Sequence, residues 1–247
     1  MAHTIRVLLL FCFLGFSCIT QARDIAITID DLPFVGEQKN FHLNMIIDAI
    51  TAHDIPVTGF VIAGNIRPDN WPVLQKFKEA GFGIGNHTLS HVNAQTISTQ
   101  AYINQIKEAN HILLPLLTKP KYFRYPYLAM GAGTKKTDIM SYLSSKKYHI
   151  APITIDSQDF MFNQLLLAVP EASRRQFLTV LKPCYLDFIW QQTLRAEKSN
   201  RLNKKNNKAQ ILLIHANLLN AYVLPDIIDL YQQRGFNFVS LTTALAS

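Results

Sequence analysis

The sequence predicts an α/β fold, built on a parallel sheet or on a barrel that is incomplete. Short apolar runs rich in β-branched residues alternate with amphipathic stretches of helical length, and polar clusters follow several of these runs. About seven strands can be counted, fewer than the eight of a closed barrel of this type. The chain shows no repeat, low-complexity tract or linker, so we predict one domain over residues 23–247.

Each predicted element has its own sequence signal. Strands are predicted where a short apolar run ends in polar or turn-forming residues, at residues 25–29, 57–62, 82–85, 122–125, 148–155, 210–215 and 237–241. Helices are predicted where apolar residues recur every three or four positions, at residues 41–53, 72–80, 100–117, 135–146 and 224–234.

One segment interrupts this alternation. Residues 160–209 should form one loop and one helix, but the segment is about twice the length that such a unit needs. Its portion 177–194 has a helical pattern and is rich in aromatic residues, among them Tyr185, Phe188 and Trp190. We therefore predict an enlarged helical insertion before the last strands, packed beside the functional site.

The amino terminus has the layout of a secretory signal peptide. Arg6 precedes the apolar run 7–19, and Thr20-Gln21-Ala22 supplies a small-residue cleavage pattern. The run is short for a membrane span, although a retained anchor is the alternative. We predict a signal peptide over residues 1–22 and an exported protein, periplasmic or secreted, with no stable membrane insertion after cleavage.

Neither the net charge nor Cys184, the one cysteine outside the predicted signal peptide, predicts a catalytic role. The net charge is +7, and part of the excess lies in an Asn-rich stretch that contains Lys198, Arg201, Lys204, Lys205 and Lys208. No aromatic residue interrupts that stretch, so we predict a solvated surface segment and no nucleic-acid binding. Cys184 has apolar neighbours, which predict a buried small hydrophobe rather than a nucleophile.

Polar residues lie at the ends of five of the predicted strands. In chain order they are Asp30 and Asp31, His87 and His91, Arg124 to Tyr127, Asp156 and Asp159, and His215. Catalytic groups of parallel α/β folds lie at the carboxyl ends of the strands, where the loops converge. This coincidence predicts a functional site more strongly than any single motif does.

Asp30 and Asp31 are adjacent carboxylates at the end of the first predicted strand. Neighbours in a regular strand point to opposite faces, so both can reach one site only where the strand ends, and Leu32-Pro33 supplies such an ending. One carboxylate could then bind a metal while the other acts as a base. Taken alone, such a dipeptide more often marks two turn or capping residues.

His87 and His91 are spaced so that one helical turn would place both imidazoles on one face. Together with an aspartate from a neighbouring strand end, they would give three ligands for zinc or a similar divalent ion and leave positions open for water and substrate. Taken alone, the pair could also be an ordinary surface or core pair.

Three further residues could complete the site. Arg124 could form an ion pair with Asp30 and orient it, or it could form a surface ion pair. Asp159 could orient and charge a histidine, although the segment 156–160 also suits an Asx-turn. His215 could donate a proton to a leaving group, or it could be a core histidine with its hydrogen bonds satisfied.

Five ordered motifs between residues 25 and 241 resemble those of the NodB-homology polysaccharide deacetylases, carbohydrate esterase family 4. They lie at residues 28–31, 87–91, 124–127, 156–160 and 211–215. The resemblance implies a distorted (β/α)7 barrel that removes N-acetyl groups from N-acetylglucosamine-containing polysaccharide, with peptidoglycan as the first expectation. It also implies a zinc ion, or another divalent transition metal such as Co²⁺.

The resemblance also implies a role for each matched residue. Asp31, His87 and His91 would bind the metal, and Asp30 would be the general base, oriented by Arg124. His215 would be the general acid, tuned by Asp159. The backbone amide of Tyr127 would help to hold the oxyanion.

Three departures from the family pattern bear on the substrate. Leu32, Leu128 and Phe160 stand where many members have Gly, Gly and Trp, and none of these changes removes a catalytic group. An O-acetyl esterase acting on xylan or exopolysaccharide is therefore an alternative. An inactive carbohydrate-binding protein on the same fold is the alternative from another class.

Overall fold

The protein folds into a curled, all-parallel sheet flanked by helices, in a computed structural model that describes residues 23–34, 36, 38–205 and 208–247. The predicted signal peptide lies outside the described residues. The strands are β1 (Arg23–Leu32), β2 (Val57–Val61), β3 (Gly83–Asn86), β4 (Lys121–Phe123), β5 (Tyr148–Ile150), β6 (Ile155–Asp156), β7 (Gln210–His215) and β8 (Phe236–Phe238). The helices are α1 (Lys39–Ala52), α2 (Trp71–Glu79), α3 (Thr99–Leu113), α4 (Gly133–Ser145), α5 (Asp159–Leu167), α6 (Glu171–Leu202), α7 (Leu218–Gln233) and α8 (Leu241–Ala246).

The strand order confirms the predicted incomplete barrel. The sheet runs β5-β4-β3-β2-β1-β7-β6, and β8 pairs with the start of β1. Among the described residues no pairing joins β5 to β6, so the sheet stays open between its two end strands. The single strand predicted at residues 148–155 is wrong, because Pro152 interrupts it and its two halves become β5 and β6 on opposite edges.

The two faces of β1 separate the hydrophobic core from the site. Ile25, Ile27 and Ile29 are fully buried in the main core cluster, together with apolar residues of α1 and α7. Ala26 belongs instead to a smaller cluster on the other face of the strand, with Phe60 and Ile211. Because side chains alternate along a strand, Thr28 and Asp30 share the face of Ala26 and are held inside the curl of the sheet.

The predicted insertion forms two helices. Its first helix, α5, begins the segment, and α6 continues for 32 residues and buries Leu181, Tyr185, Ile189 and Thr193. This buried stripe advances every four residues, and Cys184 lies to one side of it, so the prediction of a buried Cys184 is wrong: the thiol is exposed. Among the described residues, no helix is both long enough and apolar enough to cross a membrane.

Candidate metal centre and catalytic cleft

A bulge in β1 brings both aspartates to one place. Ile29 pairs with Gly59 and Leu32 with Val61, so β1 has one residue more than β2 over this stretch. Asp31 takes up the extra length in the left-handed region, with φ 65°. Bulges turn a side chain away from its regular direction, which explains how adjacent carboxylates face one cleft. The strand therefore does not end at the aspartates, as the sequence suggested, but continues through Leu32.

His87 and His91 converge without a helical turn. The segment after β3 is irregular, with Thr88 at φ 68° and His91 at φ 55°, so the predicted helical geometry is wrong. Asn86 Oδ1 accepts from the Thr88 amide at 2.8 Å, and Thr88 Oγ1 accepts from the His91 amide at 3.1 Å. These bonds shape a loop in which the two imidazole centroids lie 4.9 Å apart.

The donor atoms of this cluster fit a divalent cation. Asp31 Oδ1 lies 3.5 Å from His87 Nε2 and 3.3 Å from His91 Nε2, and Asp31, His87 and His91 form the candidate metal group found among the described residues. Asp31 Oδ1 is buried and accepts no hydrogen bond from a described residue. His87 Nδ1 contacts the Arg124 carbonyl at 2.8 Å, so it must carry the proton, which leaves Nε2 as a lone-pair donor. One oxygen and two nitrogens suit Zn²⁺ or a similar ion.

The protonation of the cluster also suits a cation. Burial alone would raise the pKa of Asp31, but its close contact with His87 and the charges of His215 and His91 lower that pKa to about 2. Burial lowers the pKa of His91, against the opposing effect of Asp31. An ionised carboxylate beside a neutral imidazole is the state in which both groups bind metals.

Arg124 lies under the cleft and contacts Asp30. The guanidinium is 1% exposed, with Nη1 3.5 Å from Asp30 Oδ2 and Nη2 donating to Thr28 Oγ1 at 3.1 Å. It also packs on the ring of Phe60, with Cζ 4.7 Å from the centroid. Burial lowers the pKa of Arg124, and the negative charge of Asp30 opposes this effect. The other oxygen of Asp30, Oδ1, has no hydrogen-bond partner among the described residues.

Asp159 and His215 form a short ion pair on the opposite side of the cleft. His215 Nδ1 lies 2.6 Å from Asp159 Oδ1, and the His215 amide donates to Asp159 Oδ2 at 2.6 Å. Burial by itself would lower the pKa of His215. The charge and hydrogen bond of Asp159, together with the charges of Asp30 and Asp31, raise it to about 10. The imidazole is therefore a cation at neutral pH.

Three residues around this pair were not predicted. Asn217 Nδ2 donates to Asp159 Oδ2 at 2.9 Å, and Asn220 Nδ2 donates both to the same oxygen and to the His215 carbonyl. Tyr185 of α6 donates from its hydroxyl to Asn220 Oδ1 at 3.0 Å. Only Asn217 carried a readable signal, as the side chain that caps the start of α7.

The remaining predicted residues line a cleft of about 590 Å³ above the donor cluster. Tyr127 lies at its rim with φ 55°, and its ring centroid is 4.6 Å from that of His91. Phe160 meets His215 edge to face at 6.4 Å and so forms an apolar wall. Asp156 also lines the cleft, but its carboxylate accepts from the Gln158 amide at 3.0 Å as an Asx-turn.

A curled parallel sheet that presents such a donor cluster, a free carboxylate and a histidine in one cleft is an arrangement that suits metal-assisted hydrolysis. The family model described as "Polysaccharide deacetylase" matches residues 19–144, about half of the chain. The chain therefore belongs to the polysaccharide deacetylase family.

Curated relatives support this membership. The chain is 27% identical over 150 residues to a chitin deacetylase of Colletotrichum lindemuthianum, covering 59% of this chain and 56% of that protein. It is 27% identical over 148 residues to a peptidoglycan-N-acetylglucosamine deacetylase of Bacillus cereus, covering 59% of this chain and 50% of that protein. The chain thus spans about half the length of the curated relatives it matches.

Solved structures share the fold. The chitin deacetylase from Colletotrichum lindemuthianum aligns with a TM-score of 0.64 at 21% identity, over 91% of this chain and 88% of that one. A protein of Bacillus anthracis described as a CE4 family pseudoenzyme aligns with a TM-score of 0.64 at 18% identity, over 91% and 66% of the two chains. At these identities the likeness shows the fold alone.

Proposed function

We propose that this protein is a metal-dependent hydrolase that removes N-acetyl groups from N-acetylglucosamine-containing polysaccharide, with peptidoglycan as the first candidate. The observation that carries the proposal is the placement of Asp30 beside the Asp31, His87 and His91 donors, with the His215 cation in the same cleft. The relatives described as chitin and peptidoglycan deacetylases support the substrate class. The signal-peptide pattern supports an exported location, periplasmic or secreted.

Asp31, His87 and His91 would hold a divalent ion, with Zn²⁺ or Co²⁺ as candidates. When bound, such an ion supplies Lewis-acid chemistry, since it withdraws electrons from an acetyl carbonyl and makes water more acidic. The described donors leave room for water and substrate, because the cluster opens into the cleft.

Asp30 would accept the proton of the attacking water. Its Oδ1 is buried without a hydrogen-bond partner among the described residues, while Oδ2 faces Arg124, so one oxygen is free to take a proton and the other is held in position. As the water oxygen bonds to the acetyl carbon, negative charge develops on the carbonyl oxygen. The backbone amide of Tyr127, at the rim, would donate to that oxygen.

His215 would complete the reaction as the general acid. Its proton passes to the amide nitrogen as the carbon–nitrogen bond breaks, so that the sugar leaves as a neutral amine and the acyl group leaves as acetate. An amine anion is a very poor leaving group, and a positioned acid contributes about 10²- to 10⁴-fold in rate. Asp159 would hold the imidazolium in the orientation for this transfer.

The proposal is tested by acetate release from N-acetylglucosamine oligomers. We expect the purified protein to release acetate, to lose this activity on chelation and to regain it with added Zn²⁺. Asp30→Asn should lower kcat by at least about 10²-fold, because it removes the base and keeps the shape. Acetate release that survives both chelation and Asp30→Asn would refute the mechanism. Rates on paired N-acetyl and O-acetyl substrates would separate the deacetylase from an esterase.

A second candidate is a protein that binds carbohydrate without turnover. The observation in its favour is that the same fold includes a protein described as a pseudoenzyme. Tight glycan binding by the zinc-loaded protein, with no acetate released from any acetylated glycan, would support this candidate.

A further inference from the structure

A second cavity of about 440 Å³ lies beside the catalytic cleft, between the starts of α1, α6 and α7. Leu167, the last residue of α5, lines both spaces, so they are neighbours at the same end of the sheet. A polysaccharide that enters the cleft must extend beyond one sugar unit. The second cavity is where a neighbouring unit can lie.

The first turns of α6 supply charged groups to this cavity. Arg174 and Arg175 both line it, together with Glu171. Arg174 is half-buried and its Nε donates to the Val169 carbonyl at 3.2 Å, which fixes the guanidinium while its other nitrogens can still donate. Among the ion pairs of the described residues, none involves either arginine.

The remaining walls suit a sugar ring. Tyr222 of α7 is 44% exposed, and its ring is held edge-on to the buried ring of His42 at 5.9 Å. Leu178 adds an apolar surface from α6. A cavity with apolar walls and a few fixed polar groups is the usual form of a small-ligand site.

The charge balance indicates the ligand. Among the described residues that line the cavity, two guanidinium groups and one carboxylate give a formal charge of +1, with His42 counted as neutral. Guanidinium groups bind carboxylates through paired, charge-assisted hydrogen bonds. A single positive charge complements a carboxylate monoanion better than a phosphate dianion.

We propose that this cavity binds a sugar unit that carries one carboxylate, next to the unit whose acetyl group is removed. The inference rests on the proposed function, because it names the substrate class of the same site. Two sources share this chemistry: the lactyl ether of a peptidoglycan amino sugar, and a uronic acid in an acidic polysaccharide.

The test compares binding of matched oligosaccharides to the zinc-loaded protein by calorimetry. One series alternates N-acetylglucosamine with the lactyl-ether amino sugar and another alternates it with a uronic acid, each beside its carboxyl-reduced counterpart. We expect one carboxylated series to bind at least about tenfold more tightly than its reduced form. The series that shows the difference identifies the source.

Variants assign the difference to the cavity. Two variants should lose most of the tenfold preference: Arg175→Glu, and the double variant Arg174→Gln, Arg175→Gln. Arg175 is exposed, so we expect its replacement to leave the fold intact. Arg201→Gln is the matched control, because it removes an exposed arginine from the far end of the same helix, and it should keep the preference.

Acetate release in the same samples separates this inference from the proposed function. Release without any preference for a carboxylate would overturn the cavity's role alone. A preference lost in the Arg175→Glu variant but without acetate release would support the cavity and reject the deacetylase. The inference would be overturned if the variants bound neutral and carboxylated glycans with equally reduced affinity. It would also be overturned if the wild-type protein bound a phosphorylated glycan more tightly than the carboxylated one.

Discussion

Asp159 accepts four hydrogen bonds, from the backbone and side chain of His215 and from the amides of Asn217 and Asn220. Four donors on one carboxylate fix its position and aim one oxygen at His215 Nδ1. The imidazole can therefore present Nε2 to the cleft in one orientation. At the residue scale, the orientation of the candidate acid His215 therefore depends on the residues that hold Asp159 in position.

The Asp159→Asn variant tests this pairing through the pH dependence of kcat/KM. The acid must be protonated, so activity is present below the pKa of His215 and is lost as the pH rises through it. Asp159 raises that pKa by its charge and hydrogen bond, so its replacement should move the alkaline limb to lower pH and reduce kcat by about 10²- to 10⁴-fold. The control is Asp156→Asn, a nearby carboxylate bonded to the Gln158 amide, which should keep the wild-type limb. An unmoved limb in Asp159→Asn would contradict the pairing.

Most of the site residues could be predicted from the sequence, but their contacts could not. Asp30, His87, Arg124 and His215 each lie at or near the carboxyl end of an apolar strand, and parallel strands end at one edge of a sheet, so their convergence follows from the pattern. The bulge at Asp31 gave no local signal, because it depends on the register against β2. Asn220 could not be predicted either, since a lone amide on a helix has no motif.

At the element scale, α6 supports the site from behind. Tyr185 is fully buried, and its hydroxyl bonds Asn220, which in turn bonds Asp159 and the His215 carbonyl. The insertion is therefore connected to the candidate acid by a chain of hydrogen bonds, in addition to its apolar contacts with α5 and α7. The sequence predicted a helix rich in aromatic residues over 177–194, and the buried positions of α6 recur every four residues, as one face of a helix requires.

The Tyr185→Phe variant measures this support. It leaves Asn220 Oδ1 buried without its donor, which should lower the free energy of unfolding by about 1–3 kcal/mol. Tyr102→Phe is the matched control, because the Tyr102 hydroxyl is buried without a partner among the described residues, and its removal should cost little or even stabilise the protein. Urea denaturation of both variants gives the comparison, and equal losses would show that the Tyr185 bond contributes nothing specific.

The division of the predicted strand 148–155 is an element-scale error with a clear cause. The run is largely apolar and rich in β-branched residues, as a strand requires, but Pro152 cannot donate to a ladder, and the chain leaves β5 there to reach β6 on the other edge. The carbonyl of Pro152 lies 3.5 Å from Arg124 Nη2, so the interruption also contributes to the floor of the site. Proline within an apolar run was the signal that should have decided the prediction.

At the scale of the whole molecule, the donor cluster joins distant parts of the chain. Asp31 belongs to β1, whereas His87 and His91 follow β3, and a bound ion would restrain both at once. We expect Zn²⁺ to raise the melting temperature of the chelator-treated protein, with a stabilisation of about 2.7 kcal/mol at a hundredfold excess over its Kd. His91→Gln should lose most of this increase in a thermal scan. A scan that Zn²⁺ leaves unchanged in the wild type would contradict the metal assignment.

The pH dependence of global stability provides a second whole-molecule measurement. The pKa of His215 is raised from its ordinary value of 6.5 to about 10. Its contribution to the free energy of unfolding is therefore complete below pH 6.5 and is lost as the pH rises towards 10. Urea denaturation of the metal-free protein should show this decline between pH 6.5 and 10, and His215→Gln should show a flatter profile. Parallel profiles for the two proteins would indicate that His215 is not charged in the folded state.

The extra residue in β1 also has a genetic consequence. The strand carries one residue more than its partner, so removal of a single codon at position 30 or 31 would restore regular pairing while leaving the Ile25, Ile27 and Ile29 core in register. The shortened gene would still encode the fold but only one of the two aspartates. Under the proposed function, one in-frame deletion would therefore remove either the candidate base or a candidate metal ligand while leaving the strand pairing intact.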